Sequence, residues 1–107
     1  MLWNLHSSGA EWNAELREYL ERRLLFALSR YAPKITKVNV YIADQNGPKG
    51  GIDKSCQIIV QMPGFTNLVA KTVDSEWIAC IDRGTTRIGQ NVRRALAWKR
   101  EHQTRAA

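Results

Sequence analysis

The stretch DSEWIACIDRGTTRIGQNVRRALAWKREHQTR, residues 74–105, decides how the rest of the chain is read. At about 100° per residue, Trp77, Ile78, Ile81, Thr85, Ile88, Val92, Ala95 and Leu96 fall on one stripe of a helix. Arg83, Arg87, Arg94 and Arg105 line up on the opposite side, with Gln90 and Asn91 between them. A helix with a core stripe on one side and arginines on the other holds a row of planar guanidinium forks. Such forks match phosphate oxygens two at a time. The wheel alone does not separate this from a solvated outer face, the common condition of surface helices.

Charge points the same way. The chain has 107 residues, a formal charge of +6 and a pI near 9.8. From residue 75 onward it carries seven Lys or Arg against three acids, so most of the excess sits on this last helix. That balance favours a polyanionic partner. The length suits one domain, residues 1–107, with a modest core. No apolar run approaches the roughly 18 residues needed to cross a bilayer, and the first nine residues do not resemble a signal peptide. Two cysteines, Cys56 and Cys80, make no disulfide framework and read as buried small hydrophobes in a reducing cytoplasm.

Upstream of the helix, Leu68, Ala70 and Thr72 alternate on one face of a strand. Cys56, Ile58, Val60 and Met62 form another, closed by Pro63-Gly64. Residues 44–54, DQNGPKGGIDK, carry Asn-Gly, Pro and Gly-Gly, the turn chemistry of a long hairpin loop. Val38, Val40 and Ile42 point inward from a strand over residues 35–43, with Lys37, Asn39 and Tyr41 outward. Leu16, Leu20, Leu24, Ala27 and Tyr31 give a helix over residues 14–31 its core stripe. Asn13 caps its start and Ala32-Pro33 end it. Residues 1–6 read as an edge strand. The order β-α-β-β-β-α predicts an α+β fold: a two-layer sandwich of a mainly antiparallel four-stranded sheet with two helices on one face. Gly84 and Gly89 each cost the last helix about 1 kcal/mol against Ala, tolerable where another backbone or a ligand comes close.

Catalytic patterns are weak. His6 and His102 lie at opposite ends, neither at metal-ligand spacing to a cysteine. Gly47-Pro48-Lys49-Gly50-Gly51 lacks the Lys-Ser/Thr ending of a phosphate loop and joins two strands. Asp44 and Asp53 are not spaced as an acid/base pair on one element. A stacking RNA module needs more outward aromatics than Tyr41. A double-stranded RNA-binding domain clusters lysines where this last helix begins with Asp74, Glu76, Trp77 and Ile78.

Two segments in this order carry a resemblance. Leu16-Arg17-Glu18-Tyr19-Leu20 with Arg23-Leu24, and Glu76-Trp77-Ile78-Ala79-Cys80-Ile81-Asp82, resemble the ribosome hibernation-promoting factors, the ribosome-associated inhibitor A family. The loop Asn46-Gly47-Pro48-Lys49-Gly50-Gly51, followed by Asp53, Lys54 and Cys56, looks like that of a short subset. The resemblance implies a domain that binds the small ribosomal subunit in the channel used by messenger and transfer RNA, idling the ribosome under stress or in stationary phase. By position, Arg23 matches a family lysine on the first helix, and Arg87 and Arg94 match basic positions on the last; Arg83 shares their face by the wheel. Arg22, Arg30, Arg93 and Arg100 contribute at the margins of the expected RNA site. Gln90 stands in the row where the family commonly has a basic residue, and Phe26 where a second first-helix lysine is frequent. The implied protein is a non-catalytic, cytoplasmic regulator with ribosomal RNA as partner. It is expected to use no cofactor, metal, membrane or small-molecule substrate and to be a monomer or weak dimer, without a C-terminal dimerisation domain. The rival readings are a protein-interaction module of the same fold and, more remotely, a hydrolase using Cys80 or Cys56. Trp98, flanking the arginines, either stacks on a base or covers its own helix.

Overall fold

The computed structural model describes residues 1–9, 12–44 and 53–106, the last four as backbone only. Strand β1 (Leu2–Ser8) leads into helix α1 (Ala14–Leu28) and a 3-10 segment (Ser29–Lys34). Strands β2 (Lys37–Asp44), β3 (Lys54–Gln61) and β4 (Leu68–Asp74) follow, and helix α2 (Trp77–Ala106) closes the chain. The sheet order is β1-β2-β3-β4. β1 runs parallel to β2, which requires the α1 crossover between them, and the other pairs are antiparallel. β1 and β4 are therefore the edges.

Alternation fixes which side of the sheet is covered. Register pairs Val38 with Val60, Val40 with Ile58 and Ile42 with Cys56, then Ile58 with Ala70 and Cys56 with Thr72. These residues are buried, and both helices pack over them with Leu20, Leu24 and Leu28 from α1 and Trp77, Cys80, Ile81, Ile88 and Val92 from α2. Each fully buried aliphatic side chain contributes roughly 1.5–3 kcal/mol of transfer free energy, so this layer holds the two helices at a set spacing. Thr85 lies in the same stripe with no exposure, its hydroxyl donating to the Ile81 carbonyl at 2.8 Å.

Both helical glycines mark close approaches. A Cβ on Gly84 would stand 3.1 Å from Thr72 Oγ1 and 3.4 Å from Cys56 Sγ, against the sheet. On Gly89 it would stand 3.3 Å from Ala27 Cβ and from the Ala27 carbonyl, against α1. The second contact draws α1 and α2 together along a seam.

Four expectations change. The α1 stripe does not run as α-helix to Tyr31: it ends at Leu28 and tightens into the 3-10 segment, which accommodates Pro33. Ile78 is exposed despite its place on the wheel, because the core stripe passes from Trp77 to Cys80 and Ile81. Glu76 precedes α2: its carbonyl accepts the Cys80 N–H, and its own N–H donates to Asp74 Oδ1 at 3.0 Å. Lys54 is not a loop lysine. As the first residue of β3 it is buried, with Nζ 3.5 Å from Asp53 Oδ1 and 3.8 Å from Asp44 Oδ2, and 5.7 Å from the Trp77 ring. The expected cap of α1 is present, with Asn13 Oδ1 accepting from the Leu16 N–H at 2.9 Å. The turn expected over residues 45–52 lies outside the described residues.

Candidate nucleic-acid interface

Away from the core, α2 presents two flanks and a crest, and the predicted arginines divide among them. One flank lies along β4. As an edge strand, β4 offers a row of backbone carbonyls with no strand partner. Arg83 Nη1 donates to the Val73 carbonyl at 3.0 Å and Arg87 Nη1 to the Lys71 carbonyl at 3.1 Å; Asn91 Nδ2 reaches the Val69 carbonyl at a longer 3.4 Å. The spacing explains the match. Four helical residues rise about 6.0 Å and two strand residues about 6.6–6.8 Å, so donors at i, i+4 and i+8 meet alternate carbonyls of the antiparallel strand. Arg83 also pairs with Asp74 Oδ2 at 3.1 Å. Asp74 in turn is held below the usual carboxylate range, mainly by the Glu76 N–H and further by Arg83.

The other flank faces α1, which runs beside α2 in the same direction. At its start, Asp82 accepts the Tyr19 hydroxyl proton in a hydrogen bond at its Oδ1, and Arg23 Nε lies 3.3 Å from the same oxygen. That hydrogen bond raises the Tyr19 phenol above its ordinary value. Further along, Gly89 meets Ala27 and the seam opens into a groove. Its first cavity, about 340 Å3, is bordered by Arg23, Phe26, Arg30, Thr86, Gln90 and Arg93 among others. The next, about 490 Å3, is lined by Arg30, Tyr31, Lys34, Arg93, Leu96, Lys99 and Arg100. Five cations and no acid line that second cavity. Arg30 and Arg93 border both, so the two cavities form one basic groove. A depression lined by Asp82, Arg83, Thr86, Arg87 and Gln90 continues it at the other end.

The structure thus brings together Arg23, Arg30, Gln90, Arg93 and Arg100 on one seam. It turns Arg83 and Arg87 toward β4 and leaves Arg94 exposed on the crest between. Arg22 is exposed, its guanidinium 5.9 Å from the Tyr19 ring. The side chain of Arg105 lies outside the described residues. Among the described residues, no carboxylate comes within ion-pair distance of Arg30, Arg93 or Arg94, whereas Arg23 and Arg83 each have one. Trp98 is 60% exposed and stacks on His102 of the next turn, ring centroids 3.9 Å apart.

Sequence reasoning missed Lys34, Lys99 and Tyr31 as groove residues. Lys34 was hidden behind Pro33. The position of Lys99 on the wheel acquires meaning only once the 3-10 segment lies opposite it. The Lys54 cluster was also missed, since Asp44 and Asp53 meet only when β2 and β3 pair. Both cysteines are buried, and burial pushes the Cys56 thiol up to about 12 and raises that of Cys80, which disfavours the nucleophilic thiolate. Among the described residues, no group of three or more His, Cys, Asp or Glu is placed to hold a metal ion, and no helix is long and apolar enough to cross a membrane.

A ribosomal subunit interface protein from Coxiella burnetii superimposes with a TM-score of 0.73 at 16% identity, covering 91% of this chain and 99% of the other. The Protein Y N-terminal domain of Thermus thermophilus superimposes with a TM-score of 0.70 at 24% identity, covering 88% and 98%. At these identities the likeness establishes the fold. No curated protein matches the chain. The family model described as sigma 54 modulation protein / S30EA ribosomal protein matches residues 4–98. By that match, the chain belongs to the sigma 54 modulation protein / S30EA ribosomal protein family.

Proposed function

We propose that this protein is a non-catalytic regulator that docks on ribosomal RNA of the small ribosomal subunit and, by occupying the channel for messenger and transfer RNA, inhibits translation under stress or in stationary phase. The observation that carries this reading is the basic groove along the α1–α2 seam, where Arg30, Lys34, Arg93, Lys99 and Arg100 line one cavity with no acid among its walls. Two walls of cations at the width of a side-chain groove suit a folded phosphate backbone, which approaches from one side and is gripped from both. The family description and the printed name of the Coxiella burnetii protein, a ribosomal subunit interface protein, support a ribosomal partner.

Within the groove, Arg30 and Arg93 make the main phosphate contacts, and Arg94 adds to them from the crest of α2. Arg100, Lys34 and Lys99 extend them, and Arg22 adds to the field from outside. Arg83 and Arg87 each commit one nitrogen to a strand carbonyl, leaving their other donors for the solvent side. Arg23, held by Asp82, shapes the groove mouth more than it binds. The test is co-sedimentation of the protein with isolated 30S particles across a salt series. Binding that falls steeply as salt rises is expected for several phosphate contacts. Salt-insensitive retention on a protein component after nuclease treatment would support the interaction-module reading instead.

A further inference from the structure

The first cavity of the seam contains a side chain that phosphate binding does not use. Phe26, on the α1 wall, is 81% exposed, the most exposed large hydrophobic among the described residues. A benzyl group left that far in water contributes little to the fold. It sits in a rim of cations: the Arg23 guanidinium is 5.6 Å from the ring centroid, and Arg30 and Arg93 border the same cavity. Gln90 and Thr86 border it from α2. Gln90 supplies an amide with two donors and an acceptor, and Thr86 a hydroxyl that does both. No acid borders the cavity. At about 340 Å3 it is at the small end of the range for sites that take small ligands.

An exposed aromatic face inside a basic groove, opposite groups able to read a polar edge, is the combination by which proteins hold an unpaired base. We infer that Phe26, Gln90 and Thr86 form a nucleobase pocket, in which one unpaired base of a bound RNA strand stacks on the Phe26 ring while the Gln90 amide meets its edge. Arg30 and Arg93 hold the phosphates on either side. The inference rests on the RNA-binding reading above and adds to it a preference for RNA with an unstacked base. A side-chain amide offers a donor and an acceptor together, the pattern that pairs with adenine on its N6/N7 edge.

The probes are a short single-stranded RNA carrying one 2-aminopurine, which reports the stack, the same strand with adenine or uracil at that position, which reports the edge contact, and a fully paired duplex of equal length as comparison. The wild-type protein is expected to quench the fluorescent base on binding and to prefer the single strand. Phe26→Ala should weaken single-strand binding about tenfold, the cost of one lost stack, without changing its slope against salt or its duplex affinity. Phe26→Trp should restore quenching, and Gln90→Ala should reduce the adenine preference while leaving the stack. Because Phe26 is so exposed, these variants should unfold at the wild-type temperature. Unchanged affinity and quenching in Phe26→Ala, with RNA binding intact, would overturn the pocket alone. Failure of the wild-type protein to bind any RNA, or a Phe26→Ala effect confined to a protein partner, would overturn the pocket together with the RNA reading.

Discussion

The two halves of α2 carry the same residue type to different ends. In the first half, Arg83 and Arg87 lie against β4 with one nitrogen each on a strand carbonyl, Arg83 also meets Asp74, and Asp82 draws in Arg23 from α1. In the second half, Arg93 and Arg94 have no carboxylate within reach among the described residues, and Lys99 faces Arg30 and Lys34 across a cavity without acids. A helical wheel puts Arg83, Arg87 and Arg94 on one basic side. What divides them is the acceptors supplied by other elements: an unpaired strand edge on one flank, and only further cations on the other. Like charges kept close together lower stability unless a counter-charge arrives, so the second half is where an anion would stabilise the helix most.

The largest expected effect comes from reversing charge on the second half. Arg30→Glu with Arg93→Glu should lower affinity for 30S particles by about a hundredfold or more, since each charge-assisted hydrogen bond is worth roughly 1.5–3 kcal/mol. Far-UV circular dichroism should stay unchanged, because both residues are exposed. Loss of helix in that variant would contradict the division.

The β4 flank should respond in a different readout. Its outer face shows Val69 and Val73, each 47% exposed, and the occupied carbonyl row makes a poor template for another strand. Arg87→Ala with Asn91→Ala should leave RNA affinity within a few-fold but produce concentration-dependent oligomers in light scattering. Arg94→Ala, with the same loss of charge, should stay at the wild-type size.

A smaller effect is expected at Asp82. Asp82→Ala removes the acceptor of the Tyr19 hydroxyl and the partner of Arg23, costing about 1–2 kcal/mol in chemical denaturation. The Tyr19 phenol should then titrate closer to its ordinary value, and release of Arg23 should tighten RNA binding slightly.

The smallest concerns Asp74. Its folded-state pKa is depressed, so the stability it contributes is present above the ordinary carboxylate value of about 3.9 and is lost as pH falls through the lower folded value. Asp74→Asn should flatten that part of the acid unfolding curve: the variant should be slightly less stable than wild type at neutral pH and converge with it at low pH, where the wild-type carboxyl is protonated.

Most of the fold was legible because it rests on local periodicity. Val38, Val40 and Ile42, then Cys56, Ile58 and Val60, alternate as half-buried strands must, and Ile81, Ile88 and Val92 repeat as a core-facing helix must. The site was less legible because it depends on which elements become neighbours. Nothing local distinguishes Arg87 from Arg94; the Lys71 carbonyl does. Lys54 reads as a loop lysine until strand pairing sets it between Asp44 and Asp53. Phe26 and Gln90 registered only as two departures from a basic pattern. They border a common cavity because Gly89 lets α2 close onto Ala27.

The division between the two halves is tested most directly by the salt dependence of RNA affinity in two single variants, Arg93→Gln and Arg87→Gln. The account predicts that Arg93→Gln lowers the slope of log affinity against log salt by about one, as for a lost phosphate contact, while Arg87→Gln leaves it nearly at the wild-type value. Equal loss of slope in both, or loss in Arg87→Gln alone, would contradict it.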